Sequence, residues 1–246
     1  MKKFFVIFMV SFFLSSTLCA EEPGKWENTV AFGLNLTQGN SNTFLGNLTI
    51  SSERKKVSDE IRLGLEANYG ESEVKGADGE KIKETNVQNS RISGDYKWLL
   101  DERNYIYVNG DLSQDEIADI DYRFYMGPGA GRYFLKNDKS NFGLEGGISY
   151  IKEKLGGIED DRAVLRLYER WEYTLSDTSK LWQYLEYLPA LDDFNNYLLN
   201  GEIGIEAAMN THLNLRLVLQ DKYNNRPATG KEKNDLTLIA GISCKF

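Results

Sequence analysis

Leu236-Thr-Leu238-Ile-Ala240-Gly-Ile242-Ser-Cys244-Lys-Phe246 sets an apolar side chain at every second position and stops on an aromatic. Successive side chains of a β-strand point to opposite faces, so this period of two reads as a strand with one greasy side. The other parity, Thr237, Gly241 and Ser243 around Ile239, suits a wetter surface.

The same alternation recurs upstream in about twelve segments. Val30, Phe32, Leu34 and Leu36 oppose Glu27, Thr29, Asn35 and Thr37; Ile61, Leu63, Leu65 and Ala67 oppose Arg62, Glu66 and Asn68. Leu165, Leu167 and Trp171 oppose Arg166 and Arg170, and Leu213 to Leu219 alternate with Asn214 and Arg216. Only the stretch from Trp182 to Leu188 lacks a clean parity. Glu169 falls on an apolar face, where a β-bulge would turn it inward. Arg132 does likewise, near enough to a strand end to snorkel.

Alternation also fits a soluble sandwich, whose apolar face packs inward. Three features favour a membrane barrel. Connections alternate between tight (53–58, 99–103, 136–140, 176–179, 209–212) and longer, charged ones (70–86, 113–120, 152–161, 189–195, 223–234), with Gln38–Ser41 short among the long. Short periplasmic turns against longer outer loops are a barrel's asymmetry. Aromatics cluster at strand ends: Trp26, Trp98, Phe134, Phe142, Tyr173, Trp182 and Phe246 at one rim, Phe44, Tyr69, Tyr122, Tyr150 and Tyr223 at the other. Such rings favour the membrane interface. The segments also run to ten residues or so, the length a tilted membrane strand needs. The expected fold is all-β: a single up-and-down antiparallel transmembrane barrel of about 12 strands over residues 21–246, both ends on the periplasmic side.

Residues 1–20 read as a cleavable signal peptide: Lys2 and Lys3, an apolar run from Phe4 to Leu14, then small residues up to Ala20. Cleavage leaves one cysteine, Cys244, and so no internal disulfide. The mean hydropathy of −0.46 suits a barrel, since only alternate residues meet lipid. A net charge of −8 argues against a nucleic-acid partner.

An exported chain closing on a strand with a terminal Phe resembles Gram-negative outer-membrane barrels, in which that aromatic belongs to the signal read by the barrel assembly machinery. The resemblance implies the cell outer membrane as location, its lipid and that machinery as partners, and Phe246 as assembly signal. Gly33-Leu-Asn-Leu-Thr-Gln-Gly-Asn-Ser-Asn-Thr43 narrows it. With Asp121-Tyr-Arg123, Gly127-Pro-Gly-Ala-Gly-Arg-Tyr133, and Tyr223, Pro227 and Asp235 before the final Phe, it resembles the domain-of-unknown-function 481 family, often labelled salt-induced outer-membrane proteins. That family implies a barrel, no agreed activity and no catalytic residue. On residue chemistry alone, Gly39-Asn40 is a hairpin turn.

The interior-facing parity gathers charges of both signs: Glu66, Arg91, Asp111, Arg123, Glu145, Arg166, Arg170, Glu202, Glu206 and Arg216. These are the candidate lumen lining, with Glu206 opposite Arg216 across the turn near 210. They line a narrow pore that selects solutes or pair into a salt-bridged plug; inward Tyr105, Tyr107, Tyr125 and Tyr168 tilt the balance towards the plug. Gly127, Gly129 and Gly131 share that parity and let the strand bend; no helix follows them to make a dinucleotide loop. Catalytic chemistry has little to stand on. The single histidine, His212, opens a strand at a periplasmic turn, and no triad assembles around it. Asp115-Glu116, Glu159-Asp160-Asp161 and Asp192-Asp193 lack calcium-loop spacing, and one His with one mature Cys makes no transition-metal cluster. The expectation is a non-enzymatic barrel, structural or a narrow channel, without cofactor or metal, linked through the family label to salt or osmotic response. The alternatives are a lipid- or ligand-handling barrel enzyme, or a surface adhesin acting through its longer loops. The sequence sets no oligomeric state.

Overall fold

The alternating segments form twelve strands: β1 (Trp26–Thr37), β2 (Asn42–Lys55), β3 (Asp59–Lys75), β4 (Lys81–Leu99), β5 (Asn104–Asp115), β6 (Ile120–Lys136), β7 (Ser140–Leu155), β8 (Ile158–Ser176), β9 (Ser179–Pro189), β10 (Tyr197–Ala208), β11 (Leu213–Asn224) and β12 (Asn234–Lys245). The structure, a computed structural model, describes residues 24–37, 42–75 and 81–246, the side chains of 74 and 75 excepted. The signal segment 1–20 and the turn at Gln38–Ser41 lie outside the described residues. Each strand pairs antiparallel with its chain neighbours and β1 pairs with β12, closing the barrel. Strand-to-strand pairing around the ring is what lets a barrel cross hydrocarbon with its backbone polar groups satisfied; the β1–β12 join supplies it from Thr29↔Lys245 to Gly33↔Gly241.

Burial is inside out. Leu34 is 67% and Leu238 58% exposed, whereas Arg166 is 3% and Glu186 2% exposed. The apolar parity faces outward as a belt, and the polar parity fills the interior. A soluble sandwich would reverse these figures.

The outer connections differ from the sequence reading. β3 and β4 continue as a paired ribbon to Lys75 and from Lys81, so most of 70–86 is strand. Its charges alternate on both faces and hide the apolar period; the pairs Lys81–Glu73 (3.1 Å) and Lys83–Glu71 (3.3 Å) replace it. β7 and β8 likewise close over Gly156-Gly157, both at positive φ, rather than through a loop at 152–161. The connections that remain interlock over the outer mouth. Asn225 Nδ2 donates to the Asn195 carbonyl at 2.6 Å, Arg226 pairs with Asp193, and Ala228 is buried beside Gly156.

Two expectations about side-chain direction are corrected. The β7–β8 register is unbroken from Ser140↔Tyr173 to Leu155↔Ile158, so no bulge turns Glu169 inward. It stays on the outer face between Leu144 and Leu185 and accepts a 2.8 Å hydrogen bond from Gln183 Nε2. Trp182 is no rim aromatic: it points inward, 7% exposed. β9 directs Lys180, Trp182, Tyr184, Glu186 and Leu188 into the barrel, an inner face of mixed polarity that masks its parity. Arg132 does face outward near the lower end of β6, its guanidinium 6.0 Å from the Phe134 ring centre.

Candidate functional site in the lumen

Neighbouring strands each send one charged side chain to the waist: Glu145 from β7, Arg166 from β8 and Glu186 from β9. Arg166 Nη1 donates to Glu145 Oε2 and its Nε to Glu186 Oε1, both at 2.7 Å. Lys97 Nζ lies 2.7 Å from Glu145 Oε1, and the Tyr105 hydroxyl donates to the same oxygen at 2.9 Å. From β6 the Tyr125 hydroxyl reaches Glu186 at 3.1 Å, and Asn200 Nδ2 reaches it at 3.2 Å. The Arg166 guanidinium lies 4.5 Å from the Tyr168 ring centre and 5.2 Å from that of Tyr107. Two cations meet two carboxylates, so the network is locally neutral, as buried charges require.

Glycines make room for these rings. A β-carbon on Gly129 would lie 2.4 Å from the Tyr107 ring, and one on Gly131 2.5 Å from that of Tyr105. The Gly127–Gly131 parity, read as allowing a bend, therefore also seats the tyrosines of the waist.

The remaining predicted lining residues fall above, below and beside this waist. Above it, Arg91 pairs with Asp111, and Arg123 pairs with Glu153, which also holds Arg162. Arg91, Asp111 and Arg123 border an outer vestibule of about 90 Å³ shared with Asn200, Lys222, Lys233 and Asp235. Below it, Arg170 pairs with Glu172 at 2.8 Å and Arg62 with Glu53 at 2.6 Å, next to an inner pocket of about 20 Å³. To the side, Glu66 accepts from Asn68 at 2.8 Å within the chain of amides Asn47–Asn68–Asn89. Gln220 Nε2 reaches across the inner faces of β12, β1 and β2 to Glu66 at 3.4 Å, and to Glu202 at 3.0 Å. Glu202 also accepts from Trp182 Nε1 at 2.6 Å.

Glu206 and Arg216 are register partners on β10 and β11, but they do not bond. Glu206 instead takes Lys245 at 2.5 Å and Ser243 at 2.9 Å, while the Arg216 guanidinium lies 4.9 Å from the Trp182 ring centre. Sequence reasoning missed Glu186 because β9 shows no parity, Glu153 because it stands in the stretch 152–161 read as a loop, and Arg162 because it borders that stretch. The available signal was parity: Glu153 shares the inward parity of Glu145, and Arg162 that of Arg166.

Groups weighed for catalysis serve turns. His212 Nδ1 lies 2.9 Å from the hydroxyl of adjacent Thr211. Asp115 Oδ1 accepts from the backbone N–H groups of Ile117 and Ala118, both at 3.0 Å. Among the described residues no three His, Cys, Asp or Glu side chains converge as a metal site.

Comparison with solved structures finds outer-membrane barrels. The NanC porin superposes with a TM-score of 0.54 at 11% identity, over 89% of this chain and 100% of that one. An outer-membrane channel from Pseudomonas putida F1 superposes with a TM-score of 0.52 at 10% identity, over 92% and 97% of the two chains. At such identities the likeness is one of fold. Among curated proteins no match is found. The family profile described as "Protein of unknown function, DUF481" matches residues 30–246, the whole barrel but the first four residues of β1. The chain belongs to the DUF481 family.

Proposed function

We propose that this protein is a non-enzymatic channel of the Gram-negative outer membrane, narrow and closed at its waist in the described state. The observation that carries this reading is the Glu145–Arg166–Glu186 network, which separates an outer vestibule from an inner pocket inside a lipid-facing belt. A waist and vestibule lined by charged and amide side chains suit ions and small polar solutes once side chains at the waist move, although Ile151, Val164 and Leu188 make part of the interior apolar. Export through a signal peptide at 1–20, and delivery to the assembly machinery through Phe246, belong to the same proposal. The enzymatic alternative has less support, since His212 sits at the opposite end of the barrel from the vestibule.

Planar-bilayer recording of refolded protein tests the reading. The wild type should give small conductance steps, and the charge-neutral double variant Arg166→Ala/Glu186→Ala steps several-fold larger. Absence of conductance above the lipid background in both would leave a structural role in the envelope, the second reading, which the complete pairing at the waist favours. The salt link would act through the exposed ion pair that ties the outer connections together, Arg226–Asp193. Exposed pairs weaken between about 0.1 M and 1 M salt. Conductance should therefore rise faster than bulk conductivity over that range.

A further inference from the structure

The seam that closes the barrel is shorter than the strands that form it. β1 and β12 pair only from Thr29↔Lys245 to Gly33↔Gly241. Below that, Asn28 and Phe246 exchange two backbone hydrogen bonds of 3.0 Å. Both strands continue upward, β1 paired with β2 to Thr37 and β12 paired with β11 to Asn234. The same register would add Leu34/Ala240, Asn35/Ile239, Leu36/Leu238 and Thr37/Thr237, yet none of these rungs forms among the described residues. The other strand pairs are laddered along most of their shared length. Unpaired backbone groups are costly where water is excluded, so an open seam at the height of the lipid belt marks a place for something to enter.

The flanks define what enters. Leu34, Leu36, Leu236 and Leu238 are among the most exposed residues of the outer face. Behind them the inner wall turns apolar, with Ala31, Val218 and Ile239 on the lumen parity. The Ile239 Cγ2 lies 2.8 Å from where a β-carbon on Gly33 would stand. Where the ladder stops, a niche of about 10 Å³ is lined by Phe32 and Ile242 from the lipid side and by Asn47, Thr49, Arg216 and Gln220 from the lumen. Arg216 makes no ion pair among the described residues, because its register partner Glu206 is taken by Lys245. The long Gln220–Glu66 bond spans the lumen side of this region.

We propose that the upper β1–β12 seam is a lateral portal for a single-chain anionic amphiphile of the fatty-carboxylate class. The acyl chain lies between the leucines of β1 and β12 and against Ile239 and Val218. The carboxylate pairs with Arg216 and accepts from Gln220 and Asn47. The niche as it stands has room for about one water, so the ligand spreads the seam on entering. The portal does not depend on whether the waist conducts, and its test reads binding from the bilayer.

The test uses the full chain in proteoliposomes with a Cys244→Ser background and a diazirine-bearing dodecanoate, labelled sites being mapped by mass spectrometry. Label is expected on lumen-facing Val218 and Ile239 as well as on lipid-facing Leu217 and Leu219, whose labelling reports a folded, inserted barrel in every sample. Excess dodecanoate should compete for the lumen sites, whereas dodecyl maltoside and acetate should not. Oxidising a Leu36→Cys/Leu238→Cys pair staples the seam and should cut lumen labelling about tenfold, with recovery on reduction. Arg216→Gln should cut it similarly and leave Leu217 and Leu219 unchanged. Label confined to the lipid face, or lumen label indifferent to both the staple and Arg216→Gln, would overturn the proposal. So would competition by acetate as effective as by dodecanoate, which would reduce the site to a lumen anion niche.

Discussion

Arg166 holds two carboxylates, and its removal is felt through the one with less support. Glu145 keeps Lys97 and Tyr105, but among the described residues Glu186 keeps only Tyr125 and Asn200. Breaking a buried ion pair from one side leaves an uncompensated charge and costs about 3–5 kcal/mol. Arg166→Met should destabilise the barrel by that order in urea unfolding, and adding Glu186→Gln should recover much of the loss. Recovery separates a charge penalty from lost packing, which the second substitution would not repair. At the tight turn after β4, Asp101 is fully exposed yet accepts from Arg103 N, Asn104 N and Asn104 Nδ2 at 2.8, 2.7 and 2.6 Å. Above all the Asn104 side chain, with the two backbone donors, holds its carboxyl down to about 2. A depressed folded value gives a contribution complete above the free aspartate value near 4 and lost as pH falls through about 2. The Asp101 carboxyl resonance should titrate near that pH, and Asp101→Ala should abolish the acid-induced fraying of the turn.

Strands reveal themselves unequally, and the reason is which neighbours they face. β1, β3, β11 and β12 present clean alternation because one face meets lipid and the other, Ala31, Val218 and Ile239 apart, is mostly small or polar. β9 does not, because its inner face must fill the space over small residues: a β-carbon on Gly204 would lie 2.1 Å from the Trp182 ring. Its outer face carries Gln183 as partner to Glu169. That pair spans two strands, so no single-strand reading exposes it, and a bulge was the wrong remedy for Glu169. Charges on the lipid face are penalised by about 2–4 kcal/mol at the midplane for cations, and by less for carboxylates. Glu169→Leu should therefore stabilise the barrel in vesicles by about 1 kcal/mol; a loss of stability would show that the pair has a partner in the membrane. The lumen parity was legible residue by residue, but not the pairing within it, since which carboxylate Arg166 or Lys245 takes depends on reach across the barrel. Glycine parity offers a direct check. A β-carbon on Gly129 meets the Tyr107 ring at 2.4 Å and the Gly146 carbonyl at 2.6 Å, whereas on outward Gly146 the nearest atom is 4.0 Å away. Gly129→Ala should cost about 1–3 kcal/mol by overpacking. Gly146→Ala should fall within about 0.5 kcal/mol of wild type.

For the whole barrel, closure is a matter of β1 meeting β12, and Phe246 stands where that meeting begins. Its backbone N–H and carbonyl both bond Asn28, and the preceding residue, Lys245, donates its N–H to the His212 carbonyl at 3.0 Å. None of these bonds needs the phenyl ring, which is 37% exposed on the lipid parity. The ring and the backbone therefore have separable duties, the backbone holding the lower seam and the ring presenting an apolar group at the rim. If the ring acts as the assembly signal, its loss should slow insertion without weakening the finished barrel. Phe246→Ala should lower the heat-modifiable, membrane-inserted fraction in cells. The same variant refolded from urea into detergent should unfold within about 1 kcal/mol of wild type, as a partly exposed rim side chain allows. Leu238→Arg supplies the contrast: near mid-strand on the same face, it should cost about 2–4 kcal/mol after refolding because it meets hydrocarbon. Equal losses for Phe246→Ala in cells and in detergent would make the ring a packing residue, and an unchanged inserted fraction would remove the signal altogether.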